Sequence, residues 1–93
     1  MYKIEFEQKA KKQFYKLSRD IQERLTKAID EKLAINPKKH LIPLVGDKSG
    51  LYKFRVGDYR LLCSRDDEKL HVLVVKVKHR KDVYKGYSIE YSI

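Results

Sequence analysis

The stretch YKFRVGDYRL, residues 52 to 61, leaves the chain few ways to fold. Alternation on both sides of Gly57-Asp58 predicts two short strands joined by a two-residue turn, and such a turn sets which residues face each other. Val56 then lies opposite Tyr59, Arg55 opposite Arg60, Phe54 opposite Leu61 and Lys53 opposite Leu62. Successive side chains point to opposite faces of a strand. Tyr52, Phe54, Val56, Tyr59 and Leu61 therefore share one face, and Lys53, Arg55 and Arg60 share the other. Like charges placed directly opposite destabilise a sheet, by something on the order of 0.2–1 kcal/mol. Three cations gathered in spite of that cost point to a surface built for an anion.

The flanking sequence supplies what the hairpin packs against. Tyr2 to Phe6 alternates as a first strand, with Tyr2, Ile4 and Phe6 against Lys3 and Glu5. Helical spacing follows: Ala10, Phe14 and Leu17 form one apolar stripe, and Ile21, Leu25, Ala28, Ile29 and Leu33 a second, longer one. Ser18 is placed to cap the second helix, with Asp20 in its positive first turn, and Asn36-Pro37 stops it. The apolar LIPLVG, with its proline, reads as an edge strand or an extended approach to the hairpin. The β-branched run LHVLVVKV at 70 to 77 reads as the last strand, after a polar turn in RDDEK.

A turn centred on Asp67-Glu68 puts Leu61 opposite Val74 and Arg60 opposite Val75. Phe54, Leu61, Cys63, Val72 and Val74 then face the helices. The cations share the other face with Leu62, Leu73, Val75 and Val77, a surface half basic and half apolar that suits a partner of the same kind. The expected architecture is α+β: an N-terminal strand, an antiparallel helical hairpin, then a three- to four-stranded, mainly antiparallel sheet packed on the helices, and a short C-terminal segment. Residues 1–93 make a single domain.

Charge and composition narrow the function. Twenty-two Lys and Arg against thirteen Asp and Glu leave a net charge of +9, with the excess present in both halves of the chain. A polyanion such as nucleic acid, or a strongly acidic protein, is the expected partner. The first residues are charged and hold no apolar run long enough for a signal peptide, and no segment approaches the roughly 20 apolar residues of a membrane span, so a cytoplasmic setting is expected. One Cys and three scattered His offer no metal-ligand spacing, and no cofactor is expected. Cys63 reads as core, and His40 and His71 as surface or satisfied structural residues.

The segment KVKHRKDVYKG sets Lys76, Lys78, His79, Arg80, Lys81 and Lys85 against one acid, Asp82, and includes Tyr84. Cations for phosphate and a ring for an unstacked base are what RNA binding requires. The alternating Tyr87, Ile89 and Tyr91 read as a packing tail.

GLYKFRVGDYRLL, followed one strand later by VLVVKVKHRKDVY, resembles the signature of the RelE/ParE superfamily of toxins from toxin–antitoxin pairs. The likeness covers nearly the whole chain. On the RelE side it implies a ribosome-dependent endoribonuclease that cleaves messenger RNA in the A site: the 2′-hydroxyl attacks the adjacent phosphate, leaving a 2′,3′-cyclic phosphate and a free 5′-hydroxyl. On the ParE side it implies a protein that inhibits DNA gyrase by binding it. Either way an antitoxin is the implied partner, expected to bind through a segment with acidic and aliphatic residues.

The family's two lysines on the first hairpin strand match Lys53 and Arg55, its second-strand arginine matches Arg60, and its C-terminal tyrosine matches Tyr84. Its C-terminal arginine matches Lys78 when counted back from Tyr84 without a gap, and Arg80 by the HR form of the motif; Arg80 is preferred. Physical roles follow for each. Arg55 and Arg60 can each hold two phosphate oxygens, and their repulsion is relieved when phosphate binds. Arg80 can assist the leaving oxygen and Tyr84 can stack on a base. Arg55 departs from the family pattern, because arginine is a poor base where a lysine implicated in proton transfer stands. That leaves Lys53 and His79 as candidate general bases.

Overall fold

A computed structural model describes residues 1–44 and 50–80. The chain opens with strand β1 (Lys3–Phe6) and helix α1 (Gln8–Tyr15). Helix α2 (Arg19–Ala28) starts at Ser18, whose hydroxyl accepts the Ile21 N–H at 3.4 Å, with Asp20 in the first turn. The Gln22 side-chain amide donates to the Leu17 carbonyl at 2.9 Å and so ties the loop between the helices.

The second helix does not run regularly to Leu33. Ile29–Leu33 forms a π turn in which the Ala34 N–H reaches five residues back to the Ile29 carbonyl, at 2.8 Å. Ile29 and Leu33 both stay buried on this wider turn. Asn36-Pro37 also does more than stop a helix. The Asn36 side chain accepts the Lys39 N–H and Pro37 fills the first helical position, where its missing N–H costs nothing, so the pair starts a one-turn helix, α3 (Pro37–His40).

Strands β2 (Ile42–Pro43), β3 (Tyr52–Val56), β4 (Tyr59–Asp66) and β5 (His71–His79) complete a five-stranded sheet in the order β1-β5-β4-β3-β2. β1 lies parallel to β5 and the other pairs are antiparallel. The proline-bearing β2 takes the edge, where a missing donor is tolerated.

Register in the β3–β4 hairpin is the one the turn demands, with Arg55 opposite Arg60 and Phe54 opposite Leu61. Gly57 has φ +57°, at the first central position of the turn, where a II′ turn requires a positive φ. The β4–β5 register differs from the expected one. Its turn is a four-residue loop after Asp66, whose carboxylate accepts the N–H groups of both Glu68 and Lys69 at 3.1 Å, while Leu70 takes a left-handed φ of 50°. Further along, Leu62 pairs with Lys76 but Cys63 pairs with Val74, so Val75 is an extra residue, a β-bulge.

Beyond the bulge the two faces of β5 exchange. Leu61 faces Val77 rather than Val74, and Arg60 faces Lys78 rather than Val75. Val77 joins the core, contrary to its expected place beside the cations. Phe54, Leu61, Cys63, Val72 and Val74 pack as expected against Ala10, Leu25, Ile29 and Leu33. The Val77 N–H finds its acceptor in the Gln13 side chain of α1, at 2.8 Å, which fastens helix to strand. Among the described residues no helix is long and apolar enough to cross a membrane.

Candidate functional site

The face of the sheet away from the helices carries two rows of paired residues. One runs Ile42–Lys53–Leu62–Lys76, alternately apolar and cationic; the other runs Arg55–Arg60–Lys78, three cations on three neighbouring strands. The bulge at Val75 creates the second row, because a regular β5 would turn Lys78 to the core. Lys78 is itself buried, with 9% of its surface exposed. A charge withdrawn from water interacts more strongly with an incoming anion.

Three arginine heads ring the Gly57-Asp58 turn. Arg55 folds back so that its Nε donates to the Gly57 carbonyl at 3.3 Å. Arg80, just past β5, donates its backbone N–H to the Asp58 carbonyl at 2.6 Å, and its Nη1 lies 4.0 Å from the Asp58 carboxylate. Together Arg55, Gly57, Asp58, Arg60 and Arg80 line a pocket of about 240 Å³. That volume suits a phosphate with part of its sugar. A planar guanidinium presents donors in a fork that matches two phosphate oxygens, and three of them beside the single Asp58 carboxylate leave the pocket with an excess of positive charge.

The expected site residues divide as follows. Arg55, Arg60 and Arg80 meet in the pocket; Lys53, Lys76 and Lys78 lie on the same face of the sheet. His79 does not. It pairs with Tyr59 and sets its ring edge-to-face against that tyrosine, 4.9 Å between centroids, on the helix side of the sheet. Lys81, Tyr84 and Lys85, with the tail of Tyr87, Ile89 and Tyr91, fall outside the described residues. Asp58 was legible only as a turn residue. Its position between Arg55 and Arg60 was the available signal, but contact with Arg80 depends on where β5 ends.

The other polar clusters are structural. His71 Nε2 and Glu5 Oε1 lie 2.6 Å apart and join β5 to β1. Arg65 pairs with Asp67 at 3.0 Å and covers the Tyr52 ring at 4.7 Å. Tyr2 donates to the same Asp67, a bond that raises its hydroxyl pKa. Burial pushes the Cys63 thiol up to about 12. Among the described residues, no group of three or more His, Cys, Asp and Glu side chains is placed to hold a metal ion.

The same architecture and sequence pattern occur in known proteins. Residues 4–84 match the model of the family described as the ParE toxin of type II toxin–antitoxin systems. Toxin RelG of Mycobacterium tuberculosis is 31% identical over 84 residues, covering 90% of this chain and 97% of that protein. The toxin–antitoxin complex RelBE2 of the same organism contains a chain that superposes with a TM-score of 0.78 at 31% identity, over 87% of this chain and 93% of that one. The isolated RelE toxin of E. coli superposes with a TM-score of 0.70 at 28% identity, over 97% of this chain and 98% of that one. A sheet face of paired cations, the arginine-lined turn and these matches along the chain lead to one conclusion: the protein belongs to the RelE/ParE superfamily, as a type II toxin of the RelE/RelG type.

Proposed function

We propose that this toxin is a ribosome-dependent endoribonuclease that acts in the cytoplasm and cuts messenger RNA in the A site. The observation that carries the reading is the convergence of Arg55, Arg60 and Arg80 on one pocket, with Lys78 paired to Arg60. Three guanidiniums around one small cavity suit phosphoryl transfer, because negative charge gathers on the non-bridging oxygens in the transition state and preorganised cations stabilise it more than the ground state.

In this reading Arg55 and Arg60 clamp the scissile phosphate. Arg80 stabilises the departing 5′ oxygen, and the Lys53 and Lys76 row guides the messenger backbone past Leu62. Lys78, Lys81 and Lys85 add phosphate contacts, and Tyr84 stacks on a base. The partner is an antitoxin, as in the RelBE2 toxin–antitoxin complex. It presents acidic and aliphatic residues to the alternately basic and apolar face and keeps messenger from the pocket. The match to the ParE family model supports a second reading, a toxin that blocks DNA gyrase by binding it.

Programmed ribosomes with messenger in the A site separate the two. Treated with the wild-type protein, they should yield fragments ending in a 2′,3′-cyclic phosphate, and Arg60→Ala should cut about 100- to 1000-fold more slowly while still folding. Intact messenger beside blocked gyrase supercoiling would overturn the nuclease reading.

A further inference from the structure

Attack by a 2′-hydroxyl requires a base within hydrogen-bond reach of it. The pocket's arginines cannot serve, since a guanidinium stays protonated in proteins. His79 lies on the other face of the sheet. Lys53 shares the face but does not line the pocket, and strand geometry sets its Cα about 7 Å from that of Arg55. Among the described residues Asp58 is the one carboxylate that does line it.

Asp58 is also held there. The backbone bond from Arg80 to its carbonyl anchors the turn against the end of β5, and Gly57 fixes the direction of the turn through its positive φ. At 4.0 Å from Arg80 Nη1 the carboxylate feels the guanidinium's charge but is beyond hydrogen-bond distance of that nitrogen. Those three arginines and Asp58 line one pocket, so a phosphate seated among the guanidiniums would bring its ribose toward the Asp58 carboxylate.

We propose that Asp58 is the general base of RNA cleavage, an inference that rests on the nuclease reading. The O2′–P bond forms as the O2′ proton passes to the Asp58 carboxylate. The P–O5′ bond breaks, and the departing oxygen takes a proton from a solvent water. The hydroxide left behind recovers the proton from Asp58, and the products are the cyclic phosphate and the 5′-hydroxyl. The carboxylate thereby replaces the lysine that Arg55 displaces, and the acid among the arginines has a purpose besides holding Arg80.

Single-turnover cleavage on programmed ribosomes, followed against pH, tests the assignment. With a carboxylate rather than an amine as the base, the wild-type rate should be level between about pH 6 and 8. Asp58→Asn, nearly the same shape but without basicity, should lose at least about 100-fold in rate while still competing with the wild type for ribosomes. A wild-type rate climbing close to tenfold per pH unit above about pH 7 would instead identify an amine base. An Asp58→Asn variant as fast as the wild type would equally dismiss the idea. The wild-type profile decides whether or not the variant folds. Messenger left intact by the wild type itself overturns the nuclease reading, and this proposal with it.

Discussion

Arg60 on β4 stands directly across from Lys78 on β5, and Arg55 flanks Arg60 from the other side. Three like charges across three strands cost stability in the empty protein. The arrangement persists because the opposite faces of the same strands are locked into the core through Phe54, Leu61 and Val77. Hydrophobic burial thus holds like charges side by side, and on the proposed function a phosphate would neutralise them.

Lys78→Met should separate these two effects. The substitution keeps an unbranched stem at a buried position but removes the charge beside Arg60. Thermal melting should show the protein still folded, because the apolar stem that fills this buried position is kept. Messenger cleavage on the ribosome should fall by about 10- to 100-fold for loss of one charged phosphate contact beside the pocket.

Gln13→Ala should act in the opposite sense. Its side chain is the acceptor for the Val77 N–H, and α1 is held to β5 through that bond. Leaving a buried N–H without an acceptor costs about 1–3 kcal/mol. Urea unfolding should register that loss, and hydrogen exchange at Val77 should speed up, although residue 13 lies on the helix side of the sheet, away from the cation face.

Antitoxin binding should weaken as salt rises. The face offered to it carries Lys53 and Lys76 alternating with Ile42 and Leu62, so part of the attraction lies between partly exposed charges and part in apolar contact. Calorimetric titration at low and high salt should show lower affinity at high salt but not complete loss. An affinity independent of salt would contradict the electrostatic half.

Cys63 should make the protein less stable in alkali. In the fold its thiol is pushed up to about 12 by burial, whereas in the unfolded chain it titrates near an ordinary value of about 8.5. Above that lower value the unfolded chain loses a proton that the folded one keeps. The contribution to stability is therefore complete below about pH 8.5 and declines as pH rises toward about 12. Urea midpoints of the wild type and Cys63→Ala across this range should show a steeper alkaline decline for the wild type. Thiol reagents should label Cys63 only when the protein opens.

The hairpin and the start of α2 were determined by sequence alone, because their causes are local. A two-residue turn at Gly57-Asp58 allows one register, and that register places Arg55 against Arg60 and sends Phe54 and Leu61 inward. Ser18 needs only the residue three places on to begin α2. The rest was decided by tertiary structure. A four-residue loop in place of a two-residue turn, and one extra residue at Val75, shift the β4–β5 pairing, yet neither changes the β-branched run that predicts the strand. Beyond the bulge an odd shift exchanges inward and outward residues, which brings Val77 into the core and Lys78 to Arg60. Such a shift is selected by how β5 packs against α1 and β1 together, and no window of sequence contains all three. For the same reason Asp58 reads as a turn residue in the chain and as a neighbour of Arg80 only in the fold, where two segments about twenty residues apart meet at one end of the sheet.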